Sequence, residues 1–288
     1  MTKILIIGSS GFTGRHLKEF LASHKGVELF LSDLTLTNEK NYTVCELTNK
    51  KSTNALIDKI KPDQIYNLAG SLDNDFESLF KGNVIIPRNI LDAVLELKIK
   101  CRVLLIGSAS EYGFIKPEDN PIKETHLLNP VSTYSLSKIF QTELMKYYYS
   151  LHDMDIVMAR PFNLLGKGLS NKLFIGRIYE QIELFKQGKT KKITLGNLSA
   201  KRDYIEGPDA AKALYTIMQY GRSGEIYNVG SGKSISIKDL LEKILTENRL
   251  SMDVVESLEK TPDKKFDVPD IYADIQKLSY LSQLGRKD

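Results

Sequence analysis

The chain has 288 residues, of which 42% are apolar and 26% charged, with a formal net charge of +4. That length supports a large core divided between two lobes, and the composition excludes intrinsic disorder. The positive excess is small and forms no basic block, so nucleic acid is not an expected partner.

Lys3–Ile7 reads as a strand in which Ile4–Ile7 is an unbroken, largely β-branched apolar run. It has the pattern of a strand buried on both faces of a parallel sheet. Like Val103–Ile106 it is far too short to span a bilayer, and no membrane association is expected. It leads into Gly8-Ser9-Ser10-Gly11-Phe12-Thr13-Gly14, after which Arg15–Ser23 has helical periodicity. Strand, glycine turn and helix, in that order, are what a dinucleotide fingerprint requires. Glycines permit the tight turn and the close approach of backbone to pyrophosphate, while the helix N-terminus offers N–H groups and partial positive charge. The spacing is G-x-x-G-x-x-G rather than G-x-G-x-x-G. Turn glycines without a ligand are the competing reading, and the flanking strand and helix weigh against it.

Glu28–Ser32 reads as the second strand, closed by Asp33 about twenty residues beyond Gly14, where such folds place a carboxylate on the adenosine ribose hydroxyls. A carboxylate there repels a 2′-phosphate, so Asp33 favours NAD(H) over NADP(H). Its competing role is that of a turn or cap aspartate. Thr43–Leu47 reads as a third strand, followed by a polar helix through Ile60 and a turn at Lys61-Pro62-Asp63. Cys45 and, later, Cys101 make no disulfide framework. With no signal-peptide pattern, reduced thiols in a cytosolic protein are expected. Gln64–Leu68 is the fourth strand and ends in Ala69-Gly70, small enough to let backbone pass close to a cofactor.

Ser78–Leu97 reads as one long helix with a kink or break at Pro87. Arg102–Ile106 is the fifth strand and delivers Gly107-Ser108-Ala109-Ser110-Glu111-Tyr112-Gly113. Alternation this regular predicts a doubly wound α/β domain whose ligands bind at the carboxyl ends of the strands. Ser108 stands at such an end. In the following helix Tyr134 and Lys138 fall four residues apart, on one face and one turn from each other. An ammonium beside a phenol favours the phenolate, which lowers the tyrosine pKa from its usual ~10 towards proton transfer near neutrality. The same spacing occurs on many solvated helices; Ser108 upstream is what selects the chemical reading.

Asp155–Ala159 is the sixth strand and delivers Arg160-Pro161-Phe162-Asn163. Beyond it the alternation stops, with helices at Ile175–Lys186, Asp209–Tyr220 and Ile237–Glu247 and a strand at Glu225–Val229. Residues 1–162 therefore form the expected nucleotide-binding domain, rejoined by 200–231, and 163–288 mainly a second lobe. Ala200–Tyr204 reads as a solvated loop, or as a place where the planar fork of Arg202 clamps a diphosphate.

With these residues assembled, the chain resembles the extended short-chain dehydrogenases/reductases that act on nucleotide sugars. The matching features are Gly8-x-x-Gly11-x-x-Gly14, Asp33, Asn67-Leu68-Ala69-Gly70, Ser108, Tyr134-x-x-x-Lys138 and Arg160-Pro161-Phe162-Asn163. Within that superfamily Ile106–Gly113, Gly196-Asn197-Leu198-x-Ala200-x-Arg202-Asp203-Tyr204 and Tyr220–Gly232 are most similar to GDP-4-keto-6-deoxy-D-mannose reductases. The resemblance implies a Rossmann domain with a smaller C-terminal substrate-binding lobe. It also implies NAD(P)H-dependent reduction of the C4 ketone of a nucleotide-linked 4-keto-6-deoxy hexose, in a homodimer packed through the helices near 78–97 and 134–150.

By the same resemblance Ser108, Tyr134 and Lys138 are catalytic. Cofactor contacts fall to Gly8, Gly11, Phe12, Thr13, Gly14, Asp33, Leu47, Leu68, Ala69, Gly70, Tyr134, Lys138 and Pro161. Substrate contacts fall to Ser108, Ser110, Tyr134, Asn163, Lys172 and Arg202, and no metal is expected. The related 4,6-dehydratases carry Asp-Glu directly after the catalytic Ser or Thr; Ala109-Ser110 stand there in this chain, so dehydration is not expected. The family's late diphosphate-binding arginine has no counterpart near Val268-Pro269, where the basic residues are Lys264 and Lys265. Two alternatives stay open: a 4-epimerase that retains NAD, and a non-catalytic NAD-binding regulatory protein.

Overall fold

The apolar runs read as doubly buried strands lie at the middle of one sheet. In the computed structural model, which describes residues 1–196, 198–257 and 268–285, the first half alternates regularly. It runs β1 (Thr2–Ile7), α1 (Phe12–Ala22), β2 (Val27–Asp33), β3 (Tyr42–Val44), α2 (Lys50–Ile60), β4 (Gln64–Asn67), α3 (Phe76–Phe80), α4 (Ile86–Glu96) and β5 (Arg102–Ile106). It continues through α5 (Thr133–His152), β6 (Ile156–Pro161), β7 (Asn163–Leu165), α6 (Phe174–Lys186), β8 (Ile193–Leu195), β9 (Lys201–Glu206) and α7 (Gly207–Tyr220). The last elements are β10 (Ile226–Val229), β11 (Ser234–Ser236), α8 (Ile237–Glu247), β12 (Val255–Ser257), β13 (Asp270–Ile271) and α9 (Gln276–Leu284).

Seven strands make a parallel sheet in the order β10-β6-β5-β4-β1-β2-β3. This is a doubly wound Rossmann arrangement. The strand order reverses between β1 and β4, and there the helices above diverge and open a crevice at the carboxyl ends. Side chains alternate between two cores. Ile4, Ile6, Tyr66, Leu104 and Val157 pack towards the core that holds α7 and part of α1. Leu5, Ile7, Ile65, Val103, Leu105, Ile156 and Met158 pack with residues of α2, α4 and α5. Each such residue contributes roughly 1.5–3 kcal/mol when fully buried, which explains why both faces of these strands are apolar.

The long stretch expected at 78–97 is α3 and α4 joined by a wide turn over Lys81–Ile85, in which the Ile86 N–H reaches back five residues to the Lys81 carbonyl. Pro87, which has no N–H to give, follows immediately at the start of α4. The widened turn absorbs the missing bond and the ring's bulk. It buries Gly82, Asn83 and Val84. Helix α5 starts from a reciprocal cap: the Ser132 hydroxyl accepts the Ser135 N–H (3.1 Å) while the Ser135 hydroxyl accepts the Ser132 N–H (3.0 Å). The first turn that carries Tyr134 is thereby fixed.

Ala200–Tyr204 is not a solvated loop. Residues 201–206 form β9, the middle of a second sheet that pairs with β11, β13 and β7. Asp203 is fully buried, and its carboxylate accepts from the Ser231 N–H (2.7 Å), the Ser231 hydroxyl (2.7 Å), the Gly232 N–H (3.0 Å) and the Ala273 N–H (3.1 Å). Behind this sheet Ile175, Ile178, Ile182, Leu240, Leu241 and Ile244 form a further core. Asn197, Lys264 and Lys265 lie outside the described residues. On α5, Leu136, Phe140, Tyr147 and Leu151 are exposed along one stripe, beside the exposed Phe76 of α3. Among the described residues no helix is long and apolar enough to cross a membrane.

The glycine turn gives a stability test. A Cβ on Gly14 would stand 2.3 Å from the Gly8 carbonyl oxygen and 2.7 Å from Ser9 Cα. Alanine is favoured over glycine in a helix by about 1 kcal/mol, whereas overpacking against backbone costs about 1–3 kcal/mol. We expect Gly14→Ala to lower the urea midpoint despite the better helix former; an unchanged or higher midpoint would show that the turn yields.

Candidate active site

At the end of β1, Gly8 takes φ +78°, and a Cβ there would lie 2.7 Å from the Ala69 nitrogen and 2.8 Å from the Leu68 carbonyl carbon. Only a glycine lets the turn press against the chain leaving β4. Helix α1 then begins from Gly11 with no side-chain cap and no acidic residue in its first turn, which Phe12 and Thr13 open. Its leading N–H groups are not claimed by a side chain, so the cradle fits a pyrophosphate in shape and in charge. Asp33 stands beside it at the end of β2. Its carboxylate accepts the Ser10 N–H (3.0 Å), the Ser10 hydroxyl (2.5 Å) and the Leu34 N–H (2.7 Å). Leu47 is buried in the core rather than open to the crevice. The Asn89 amide of α4 holds the Leu47 carbonyl (2.8 Å).

Moving across the sheet, the carboxyl ends of β4, β5 and β6 floor a cleft of about 860 Å³. Of the expected residues, Leu68, Ala69, Gly70, Ser108, Ser110, Tyr134, Lys138, Pro161, Asn163 and Arg202 line it. The second lobe closes the other wall with Phe174, Tyr204 and Ile271. Lys172 is not in the wall. It forms an exposed ion pair with Asp73, tying the loop before α6 to the loop after β4. Asn163 donates to the Asp203 carbonyl (3.1 Å), and Arg202 donates to the carbonyls of Lys201 (2.8 Å) and Val268 (2.5 Å).

Lys138 is nearly sealed from solvent. Its ammonium donates to the Ile106 carbonyl (2.9 Å) and to the Gln141 side chain (3.1 Å), and it lies 6.0 Å from the centre of the Tyr134 ring. The Tyr134 phenol and the Ser108 hydroxyl line the same wall, close enough for Ser108 to influence the phenol. The three side chains expected to act together therefore converge on one cleft.

Two residues that hold them went unread in the sequence. Asn83, buried in the wide turn, accepts the Ser71 N–H (3.0 Å) and donates to the Ser71 carbonyl (3.1 Å) and the Ser137 hydroxyl (3.0 Å). It so fixes the Gly70–Ser71 chain next to Lys138. Glu111, fully buried, accepts the Ser108 N–H (2.7 Å) and the Thr142 hydroxyl (2.6 Å) and pairs with Arg160 (2.8 Å). Glu111 did carry a signal: Ser108-x-x-Glu111 is the capping-box pattern. Asn83 carried none, because its burial depends on the widened turn.

The electrostatics differ from the expectation of a lowered phenol pKa. Burial pushes Tyr134 up to about 12; the Ser108 hydrogen bond works against that rise and Glu111 adds to it. The Lys138 ammonium, turned towards Ile106, is not among the causes. Burial also lowers Lys138 to about 8, with the Glu111 charge opposing. Desolvation disfavours whichever form is charged, which moves phenol and ammonium in opposite directions. Among the described residues no group of His, Cys, Asp and Glu could hold a metal ion.

Compared with known proteins, residues 4–230 match the profile of the NAD dependent epimerase/dehydratase family. The chain belongs to that family. Members similar to it include a GDP-6-deoxy-D-mannose reductase of Pseudomonas aeruginosa, 26% identical over 261 residues, covering 88% of this chain and 83% of the relative. A GDP-6-deoxy-D-talose 4-dehydrogenase of Aggregatibacter actinomycetemcomitans is 28% identical over 287 residues, covering 98% and 91%. Among solved structures, RMD from Pseudomonas aeruginosa complexed with NADPH superposes with a TM-score of 0.84 at 23% identity, over 98% of this chain and 93% of that one. It shares the fold of this epimerase/dehydratase family member.

Lys138 offers a direct measurement. The folded protein gives up this proton near pH 8 and the unfolded chain only near 10.5. Between those values the unfolded state binds more protons, so this group's contribution to stability rises with pH and is lost as pH falls towards 8. Titrating labelled lysine side chains by NMR should show one ammonium changing near pH 8, absent from Lys138→Met. A Lys138 resonance that titrates with the exposed lysines would contradict the burial described.

Proposed function

We propose that this protein is an NAD(P)H-dependent oxidoreductase that reduces the C4 ketone of a nucleotide-linked 4-keto-6-deoxy hexose. The observation that carries the reading is the make-up of the cleft wall. It holds the Tyr134 and Tyr204 phenols, serine hydroxyls, an ammonium and a guanidinium, and among the described residues it holds no carboxylate, imidazole or thiol. Dehydration of a sugar needs an acid and a base at neighbouring carbons in addition to the redox site. A wall in which Tyr134 has Lys138 and Ser108 beside it, and no carboxylate or imidazole serves as a second acid or base, suits redox change at a single carbon. The names of the two relatives, each a GDP-linked 6-deoxyhexose enzyme of redox type, support the substrate class.

A dinucleotide, when bound, supplies the hydride. In this reading Gly8, Gly11 and Gly14 receive its pyrophosphate, and Leu68, Ala69, Gly70 and Pro161 flank the rest. Tyr134 gives its phenolic proton to the ketone oxygen as negative charge develops there, and Ser108 donates a hydrogen bond to the same atom. A phenol whose pKa is raised to about 12 holds its proton at neutral pH, as a donor must. Lys138 holds ribose hydroxyls, and Asn163 and Arg202 contact sugar and diphosphate. Lys172, engaged with Asp73, reaches substrate only by leaving that pair. The segments after residue 163, chiefly the second sheet with α6 and α8, form the substrate-binding lobe. Asp33 selects NADH over NADPH by repelling a 2′-phosphate. The exposed stripe of α5 with Phe76 packs against a second copy.

The same three catalytic groups also serve a 4-epimerase, which returns the hydride and consumes no cofactor. The test is loss of NADH absorbance with GDP-4-keto-6-deoxymannose. Reduction predicts stoichiometric loss, faster with NADH than with NADPH, and Asp33→Asn should narrow that ratio. Tyr134→Phe should lower turnover by about 10²–10⁴-fold while dinucleotide binding persists; near-normal turnover in that variant would end the proposal. For the dimer, sedimentation should give twice the chain mass, and Phe140→Asp should give the monomer.

A further inference from the structure

We propose that Ser110 is a positioning residue that turns the Ser108 hydroxyl into an obligate hydrogen-bond donor towards the reacting oxygen. The inference rests on the reduction chemistry above and adds a residue to it. A serine hydroxyl has one proton to give and two lone pairs with which to accept. Both lone pairs of Ser108 face donors from a single neighbour, the Ser110 N–H at 3.2 Å and the Ser110 hydroxyl at 2.9 Å. What is left to Ser108 is its own proton, free for an acceptor in the cleft that Ser108 lines together with Tyr134. The backbone cannot turn away to change this. The Ser108 N–H is held by Glu111 (2.7 Å), and the Glu111 N–H returns to the Ser108 carbonyl (3.0 Å).

The consequence falls on Tyr134. A serine with a vacant lone pair could accept the phenolic proton and keep it from the substrate. With those positions filled, the hydrogen bonds run one way, from Ser110 to Ser108 and on to the ketone oxygen, and the phenolic proton stays available for that same atom. Bonds aligned in one direction polarise each other, so the Ser110 donor strengthens the bond that Ser108 gives to the oxygen as negative charge develops there. Capping of the short turn that follows Ser108 accounts for the bond from the Ser110 N–H. It does not account for the bond from the Ser110 hydroxyl, which that turn has no need of.

Ser110→Ala deletes only the hydroxyl donor and leaves the N–H in place. The expected result is a fall in kcat for ketone reduction of about 3–10-fold, the worth of one neutral hydrogen bond. KM for the sugar nucleotide, dinucleotide affinity and melting temperature should stay at their parent values. Ser110→Thr keeps the hydroxyl and should recover most of kcat. A change confined to KM would make Ser110 a substrate contact and overturn the proposal; so would an unchanged kcat in Ser110→Ala, or no recovery in a folded Ser110→Thr. Tyr134→Phe, assayed alongside, separates the two levels. If it retains turnover, the reduction chemistry itself fails. If it is inactive while Ser110→Ala is at parent level, only the role of Ser110 fails.

Discussion

Glu111 and Arg160 form an ion pair with almost no access to water, and the cleft is arranged around it. Burying two charges is costly, and further hydrogen bonds offset part of that cost, although Arg160 Nε finds no partner. Glu111 spends its oxygens on the Ser108 N–H, on Thr142 one turn beyond Lys138, and on Arg160. Arg160 lies against the Tyr112 ring and donates to its hydroxyl (3.0 Å), which donates in turn to Asn228 (2.6 Å). Four pieces of the fold are thereby joined: the end of β5, helix α5, strand β6 and strand β10. Removing either charge alone would strand the other in the interior, at a cost of about 3–5 kcal/mol. The serine and the phenol keep their separation because the ion pair behind them has no cheap alternative.

Much of this was legible in the sequence. Doubly buried strands are read from unbroken apolar runs, since burial on both faces favours apolar side chains; Ser32, Asn67 and Arg160, towards the carboxyl ends of their strands, are the buried polar exceptions. The glycine turn could be read because the close approach of its backbone leaves no room for side chains at positions 8 and 14. The second lobe was harder. Strands β7, β8, β11 and β13 are two or three residues long, too short for alternation to register. In β9 the inward-facing residue is the carboxylate of Asp203, whose partners come from residues 231–232 and 273. Nothing local to Ala200–Tyr204 announces those donors. Asn83 was invisible for a related reason: the widened turn that buries it answers to a proline four residues later.

The phenol shows where sequence spacing misleads about energy. Four residues on a helix correctly bring Tyr134 and Lys138 to one face. Proximity alone predicts an acidified phenol, yet the ammonium is drawn to the Ile106 carbonyl, and desolvation decides both pKa values. Spacing fixes which groups meet; burial fixes which of them is charged.

The glycine cradle has a further implication. Its shape is set by main-chain atoms at positions 8, 11 and 14, where Cβ atoms at 8 and 14 would collide with backbone. The Ser10 side chain and Asp33 touch each other beside that frame without being part of it. On the proposed dinucleotide role, scaffold and selectivity would be written in separate residues, so that drift or deliberate redesign could retune which nucleotide is welcomed by editing two side chains while the pedestal beneath stays untouched.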